Sequence, residues 1–167
     1  MQNRNMTTYT IRSATPADAA VISGHRLAMF RDMGEVPTEA LAAQLLAQST
    51  VALTAWLRDQ SYIGWLAGDD AGAVIAGAGV HIKPQLPRIS HDGAAVVTVP
   101  LPLVVNVYTE PEWRGRGIAR ALMGVLMKWA AGQGTDRLVL HASDAGRPLY
   151  QSLGFEPTNE MRWFSTQ

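Results

Sequence analysis

Cysteine is missing from all 167 residues. Disulfides, thiolate metal sites and a cysteine nucleophile are therefore excluded, and any acyl transfer has to proceed without a cysteinyl intermediate. Net charge is missing too, since 14 Lys and Arg balance 14 Asp and Glu. That balance gives no reason to expect nucleic acid or an anionic membrane as a partner. Charged residues make up only 17% of the chain against 47% hydrophobic, the composition of a globular domain rather than a disordered tail. The histidines, His25, His81, His91 and His141, form no H-x-x-x-H or H-E-x-x-H pattern, so no metal centre is expected. A serine hydrolase lacks support because no G-x-S-x-G occurs. No uninterrupted apolar run approaches the length of a membrane span, and the polar start Met1 to Thr8 lacks a signal peptide's apolar core. Cytoplasm is the expected location. The length fits one domain, with neither an internal repeat nor a linker.

What the chain does have is concentrated between Tyr108 and Trp129. The apolar run Leu101 to Val107 leads in as a strand, Pro111 breaks it, and Arg114-Gly115-Arg116-Gly117 precedes a helical pattern. Ile118, Leu122, Val125, Leu126 and Trp129 recur at helical spacing, so one stripe of that helix is buried. The first N–H groups of a helix have no internal acceptors and lie at the positive end of its dipole. Glycines remove the Cβ atoms that would hold a ligand's oxygens away, and Arg114, Arg116 and Arg120 add charge. The expected guest is a phosphate or pyrophosphate, and the competing reading is a plain connector. A Walker loop is excluded because no G-K-[ST] follows, and the dinucleotide fingerprint G-x-G-x-x-G is incomplete.

These residues carry a resemblance. Arg114-Gly115-Arg116-Gly117-Ile118-Ala119 matches R/Q-x-x-G-x-G/A, the acyl-CoA pyrophosphate motif of the GNAT superfamily of N-acyltransferases. Thr109-Glu110-Pro111-Glu112-Trp113 resembles that family's V-x-P-E-[YW] lead-in with Thr in place of Val, and Leu138 to Phe155 resembles its next strand, helix and Y-x-x-L-G-F ending. The resemblance implies acetyl-CoA as co-substrate without a metal, bound by Val107, Tyr108, Thr109, Arg114, Gly115, Arg116, Gly117, Ile118, Ala119 and Arg120. It further implies two parallel strands that splay apart, with the pantetheine arm paired to the main chain of Val107 and Thr109. Residues 1–167 are then one N-acetyltransferase domain.

In chain order the patterning predicts a strand at Tyr9 to Arg12 and a helix from the Thr15-Pro16-Ala17-Asp18 start to about Arg31, with Ala20, Val21, Leu27 and Phe30 inward. A second helix runs from cap Thr38 to about Asp59 through Leu41, Leu45, Leu46, Leu53 and Leu57. Tyr62 to Gly68 and Ala73 to Lys83 form a hairpin, in which Gly64, Gly77 and Gly79 permit a bulge or close helix packing. Pro84 to Pro100 is a candidate lid with a small flap at Ala94 to Val99. After the central helix come a strand at Arg137 to Ala142, a short helix at Arg147 to Leu153 and a terminal strand at Phe155 to Phe164. The expected class is α/β of the α+β type: a mixed, mostly antiparallel sheet with one parallel pair joined through the central helix and helices on both faces.

Acyl transfer from a thioester to an amine needs an oriented donor, a neutral amine, a hydrogen bond for the carbonyl oxygen and an acid for the departing thiolate. By the resemblance, Tyr150 is that acid; a phenol of pKa about 10 can protonate a thiolate whose conjugate acid is near 8.5. Ser143 stands where relatives carry a pantetheine-bonding Asn, or else is a helix N-cap. The base is less determined. An amine of pKa about 8 to 10.4 costs about 1 to 5 kcal/mol to deprotonate at neutral pH, and the central strand has no carboxylate. Proton loss through water held near Asn106 or Tyr108, with Glu110 at the strand end, is the favoured route; His81, His141 and Asp144 are alternatives. Arg26 with Arg31 could hold a substrate carboxylate, Met29, Phe30 and Met33 could line an apolar pocket, and Asn106 could border the acceptor site; the plain alternatives are helix surface and core. The expected activity is transfer of acetyl from acetyl-CoA to a small-molecule amine. A non-catalytic CoA sensor and a protein N-terminal or lysine acetyltransferase are the rivals, and dimerisation through an exposed terminal strand is an analogy only.

Overall fold

Asp18 organises the start of the fold. Its carboxylate accepts both terminal nitrogens of Arg12 at 2.8 and 2.7 Å, the Thr15 N–H at 2.8 Å and the Thr15 hydroxyl at 3.0 Å. These bonds tie strand β1 (Thr10–Ser13) to the turn that begins the first helix. That turn, Pro16–Asp18, is of the 3-10 type, and α1 (Ala19–Asp32) follows it directly. In the computed structural model, which describes residues 8–165, α1 buries Ala19, Ile22, Ser23, His25 and Leu27, so of the expected stripe Leu27 is buried, Val21 and Phe30 are half-buried and Ala20 is exposed. Apolar residues are spread around this helix, so periodicity alone could not select its inner face. The polar start Met1 to Thr8 lies, apart from Thr8, outside the described residues.

Thr38 caps α2 (Glu39–Arg58) by accepting the Leu41 N–H at 3.2 Å. By length and mean hydropathy α2 could cross a bilayer, which the interrupted apolar runs did not suggest. Gln44, Gln48, Ser49 and Thr50 break its apolar character, and Leu53 and Leu57 pack with Ala19, Ile22, Tyr62 and Leu66 inside the domain. Leu41 and Leu46, expected inside, are exposed.

The main sheet has the order β1-β2-β3-β6-β7, where β2 is Tyr62–Gly68, β3 Val74–Lys83, β6 Leu101–Thr109 and β7 Val139–Leu140. Every neighbouring pair is antiparallel except β6 and β7. Helices α1 and α2 cover one face. On the other, α3 (Ile118–Gly132) buries Ile118, Leu122, Met123, Leu126 and Ala130 against Trp65, Ala67, Ile75, Ala78, Val80 and Val104. The short α4 (Arg147–Ser152) adds Tyr150 to that second core.

Two expectations about the periphery need revision. The lid segment carries a hairpin, β4 (Arg88–Ile89) with β5 (Val96–Val97), so the flap has a second arm before Ala94. It is fastened to the turn before β7: Arg88 grips Asp136 with both terminal nitrogens, and the His91 N–H adds a bond at 2.7 Å. The terminal strand expected at Phe155 to Phe164 does not form. Strand β7 offers an edge of only two residues, Pro157 has no N–H to donate, and Glu160 is held by side chains, His141 and Arg162, instead of by a ladder. Met161, Trp163 and Phe164 are consequently exposed, and the dimer analogy loses the strand on which it rested.

The Asp18 network predicts acid sensitivity. Hydrogen bonds from Arg12 and Thr15 depress the Asp18 carboxylate to about 2. A depressed carboxylate contributes stability above its unfolded pKa and loses it as pH falls through the folded value. Allowing for the exposure of Arg12, Asp18→Asn should cost about 1 to 2 kcal/mol near pH 7. The gap from wild type should close between about pH 4 and pH 2. Urea unfolding across that range checks it; a gap independent of pH would contradict the assignment.

Candidate active site

The glycine turn lies at the head of α3. Gly115 and Gly117 have φ of +74° and +80°, the left-handed region that glycine alone enters without strain, and a Cβ at either would meet nothing within 4 Å. Gly117 is the N-cap of α3 and no side chain caps the helix. The N–H groups of its first turn thus face open space at the positive end of the dipole. The three arginines do not converge there. Arg116 lies over the Trp113 ring at 4.9 Å and donates to the Glu112 carbonyl at 2.9 Å. Arg120 reaches Ser152 of α4 at 2.6 Å. Arg114 turns the other way, donating to the Thr109 carbonyl at 2.9 Å and to Asp32 of α1 at 2.6 Å.

Strand β6 is interrupted just before this turn. Between Val105↔Gly79 and Tyr108↔Gly77, β6 has two residues, Asn106 and Val107, where β3 has one, Ala78. This is a bulge, with Asn106 at φ +56°, a conformation that asparagine tolerates better than most residues. On its other side β6 pairs with β7 only at Leu103↔Val139 and Val104↔Leu140. From Val105 to Thr109 it therefore has no strand partner on that side among the described residues, and the expected splay is present.

The bulge is held by a buried polar chain. Asn106 donates to the Tyr62 hydroxyl at 3.5 Å and accepts from Arg26 at 2.9 Å. Burial pushes the Tyr62 phenol up to about 12, and burial lowers the pKa of Arg26. Arg26 also lies over the Phe30 ring at 4.8 Å. Arg31 is instead paired with Glu39 at 2.7 Å, so the two arginines do not form the carboxylate clamp considered from sequence. Phe30 lines a cleft of about 340 Å³ with Val36, Pro37, Leu41 and Leu45, and Met29 is half-buried nearby in sequence. Glycines make the chain possible: a Cβ on Gly79 would lie 2.1 Å from the Tyr62 hydroxyl oxygen.

At the end of β6, Tyr108 meets His25 of α1 with ring centres 5.1 Å apart, and Arg114 lies 5.4 Å above the Tyr108 ring. Burial raises the Tyr108 phenol, and the charges of Glu110 and Asp32 raise it further. Glu110 is half-exposed, with one carboxylate oxygen 3.3 Å from His25 Nε2. His25 was missed as an individual site residue in the sequence; the only signal was the glycine-rich β3 opposite it. Two buried polar atoms here have no hydrogen-bond partner, His25 Nε2 and Thr109 Oγ1. The alternative bases lie elsewhere: His81 stacks on Trp56 at 4.4 Å, His141 is paired with Glu160, and Asp144 is exposed.

Tyr150 approaches from the α3 face. It packs edge-on to Phe155 at 6.0 Å, burial raises its phenol, and it lines a cleft of about 470 Å³ with Val139, Leu140 and His141. Leu140 belongs to the last rung before β6 and β7 part. Ser143 accepts the Gly146 N–H at 3.2 Å in the turn that starts α4.

A family model described as the acetyltransferase (GNAT) family matches residues 28–155. The chain belongs to the GNAT acetyltransferase family. It is 26% identical to an aminoglycoside N(6')-acetyltransferase type 1 of Stenotrophomonas maltophilia, over 93% of this chain and 91% of that protein. A GCN5-related N-acetyltransferase from Ralstonia eutropha superposes with a TM-score of 0.82 at 32% identity, covering 95% of this chain and 99% of its own. A predicted acetyltransferase from Clostridium acetobutylicum, solved with acetyl-CoA, gives 0.79 at 25% identity, covering 95% and 96%. GNAT membership makes the chain an acetyl-CoA-dependent acyltransferase. The site fits that co-substrate: an uncapped helix start behind Cβ-free turns suits a diphosphate, and a strand edge without a partner suits an amide-rich arm.

The glycine assignments can be tested in pairs. Gly79→Ala should destabilise by about 1 to 3 kcal/mol because Tyr62 must move. Gly124→Ala, in the interior of α3 with nothing within 4 Å of its Cβ, should stabilise by about 0.5 to 1 kcal/mol. Thermal unfolding of both variants checks the contrast, and equal shifts would refute the packing argument.

Proposed function

We propose that this chain, acting as one N-acetyltransferase domain over residues 1–167, transfers acetyl from acetyl-CoA to a primary amine of a small molecule by direct transfer in a ternary complex, in the cytoplasm. The observation that carries this reading is the parting of β6 and β7 after Val104, with the uncapped start of α3 at the end of β6 and candidate proton donors and acceptors flanking it. The relatives support a small amine: one is named for aminoglycosides, and a partial match, 29% identical over 84 residues, is a glucosamine 6-phosphate N-acetyltransferase of Trypanosoma brucei brucei.

Acetyl-CoA supplies the activated acyl group as a thioester. The N–H groups of Gly115 to Arg120 would hold its diphosphate, with charge from Arg116 and Arg120. The main chain of Val107, Tyr108 and Thr109 would pair with the pantetheine arm. Arg114, committed to Thr109 and Asp32, serves better as a brace that fixes this strand end than as a phosphate ligand. Ser143 offers its hydroxyl proton near the head of α4. In the transfer the C–S bond breaks, a C–N bond forms, the thiolate takes the Tyr150 proton, and the amine proton leaves through water toward Glu110. Arg26, Met29, Phe30 and Asn106 would border the acceptor.

Tyr150→Phe should lower kcat by about 10²-fold or more while KM for acetyl-CoA stays within a few-fold. Equal loss of both would contradict the acid role. Gly117→Asp should abolish CoA binding in calorimetry by setting a carboxylate and a strained backbone against the diphosphate; unchanged affinity would move the diphosphate elsewhere.

A further inference from the structure

We propose that His25 is a positioning residue for Glu110: a neutral imidazole whose Nε2–H holds one carboxylate oxygen so that the other faces the incoming amine. The inference rests on the acetyl-transfer reading above. His25 is 4% exposed, and its Nε2 has no hydrogen-bond partner although Glu110 Oε1 is 3.3 Å away. A buried polar nitrogen without a partner is costly, and such an atom in a native fold calls for an explanation. Here the explanation is at hand, because only alignment is missing. The Glu110 backbone is fixed, its N–H bonded to the Ile75 carbonyl at 2.9 Å and its own carbonyl accepting the Trp113 N–H at 2.9 Å. Its side chain is 37% exposed. A small rotation completes the bond, and catalytic hydrogen bonds are commonly loose until substrate is bound.

The surroundings favour a fixed donor over a proton carrier. A carboxylate has no hydrogen to give, so the nitrogen facing it must be the one that carries the proton. Burial disfavours the imidazolium. The ring is hemmed in by Tyr108 on one side and by β3 on the other, where a Cβ on Gly77 would lie 3.6 Å from Nδ1 and 2.9 Å from Leu66. A Cβ there would only touch the ring, whereas it would press on Leu66 behind it. Titratable and charged neighbours from the elements around it are few: Glu110 and Tyr108 at the end of β6, then Arg114 above Tyr108, itself neutralised by Asp32 of α1. The residues that β2 and β3 bring against it, Leu66 and Gly77, are uncharged, and Arg26, next to it in sequence, is turned to Asn106. Among the described residues nothing competes with Glu110 for Nε2. A ring needed only for packing could be phenylalanine, with no nitrogen to satisfy.

Long-range ¹H–¹⁵N correlation spectra of the ¹⁵N-histidine-labelled protein test the state of the ring without any turnover. The expected result is the neutral Nε2–H tautomer for His25 between about pH 7 and 8, with its Nε2 resonance displaced in Glu110→Gln. The Nδ1–H tautomer, or an imidazolium in that range, overturns the proposal. Kinetics supply the second arm. His25→Phe should lower kcat by about 10- to 100-fold with KM for acetyl-CoA within about twofold. His25→Gln, which keeps an N–H in reach, should recover most of the rate. A wild-type kcat in His25→Phe, or His25→Gln as slow as His25→Phe, overturns the positioning role. Should His25→Phe fail to fold, the tautomer and the His25→Gln rate decide, a loss beyond about tenfold counting against it. A wild type that transfers no acetyl group to any amine would sink the proposed function and leave the tautomer result standing.

Discussion

The site depends on one departure from regular pairing, the loss of partners along the second half of β6. A strand interior to a sheet normally satisfies its N–H and C=O groups on both sides. Here the pairing with β7 ends at Val104↔Leu140, and the bulge at Asn106 disturbs the pairing with β3 two residues later. Such an opening would be destabilising if left to relax, so the fold braces it from α1. Tyr62, Asn106 and Arg26 form a connected polar chain beneath the bulge, and Arg114 clamps the Thr109 carbonyl while reaching to Asp32. The same helix thus holds the bulge through Arg26, meets Glu110 through His25 and anchors the strand end through Asp32.

Electrostatics at the glycine turn follow from this bracing. With Arg114 engaged by Asp32, attraction for an anion comes from the backbone dipole of α3, assisted by Arg116 and Arg120, instead of a cluster of free guanidinium groups. That accords with a chain of zero formal charge, where local orientation of dipoles does what bulk charge does not.

Much of the frame was legible in the sequence because it rests on local signals. The Thr15-Pro16 and Thr38 starts, the glycine pair before Ile118 and most of the stripe of α3, with Val125 exposed, are written in residue types whose conformational preferences act within a few positions. The hidden features are those decided between distant segments. Asn106 enters a left-handed conformation because Tyr62 and Arg26 meet it there, and neither is close in sequence. His25 looks like one more polar residue on a mixed helix until Glu110, at the far end of β6, is seen beside it. Arg114 fits a phosphate motif, yet a carboxylate on α1 claims its side chain. A strand is expected after Phe155, but a strand needs an edge, and β7 is too short to provide one.

The fastening of the hairpin to Asp136 gains meaning from where it lies. The segment before β6 and the turn before β7 are both at the starting ends of the parallel strands, and Arg88 and His91 bind Asp136 across that end. The two strands therefore resemble the prongs of a tuning fork joined at the stem, parted only at their tips. Joined at the stem, the prongs cannot slide lengthwise past one another, so the relative height of the groups that they carry is set where the pairing ends.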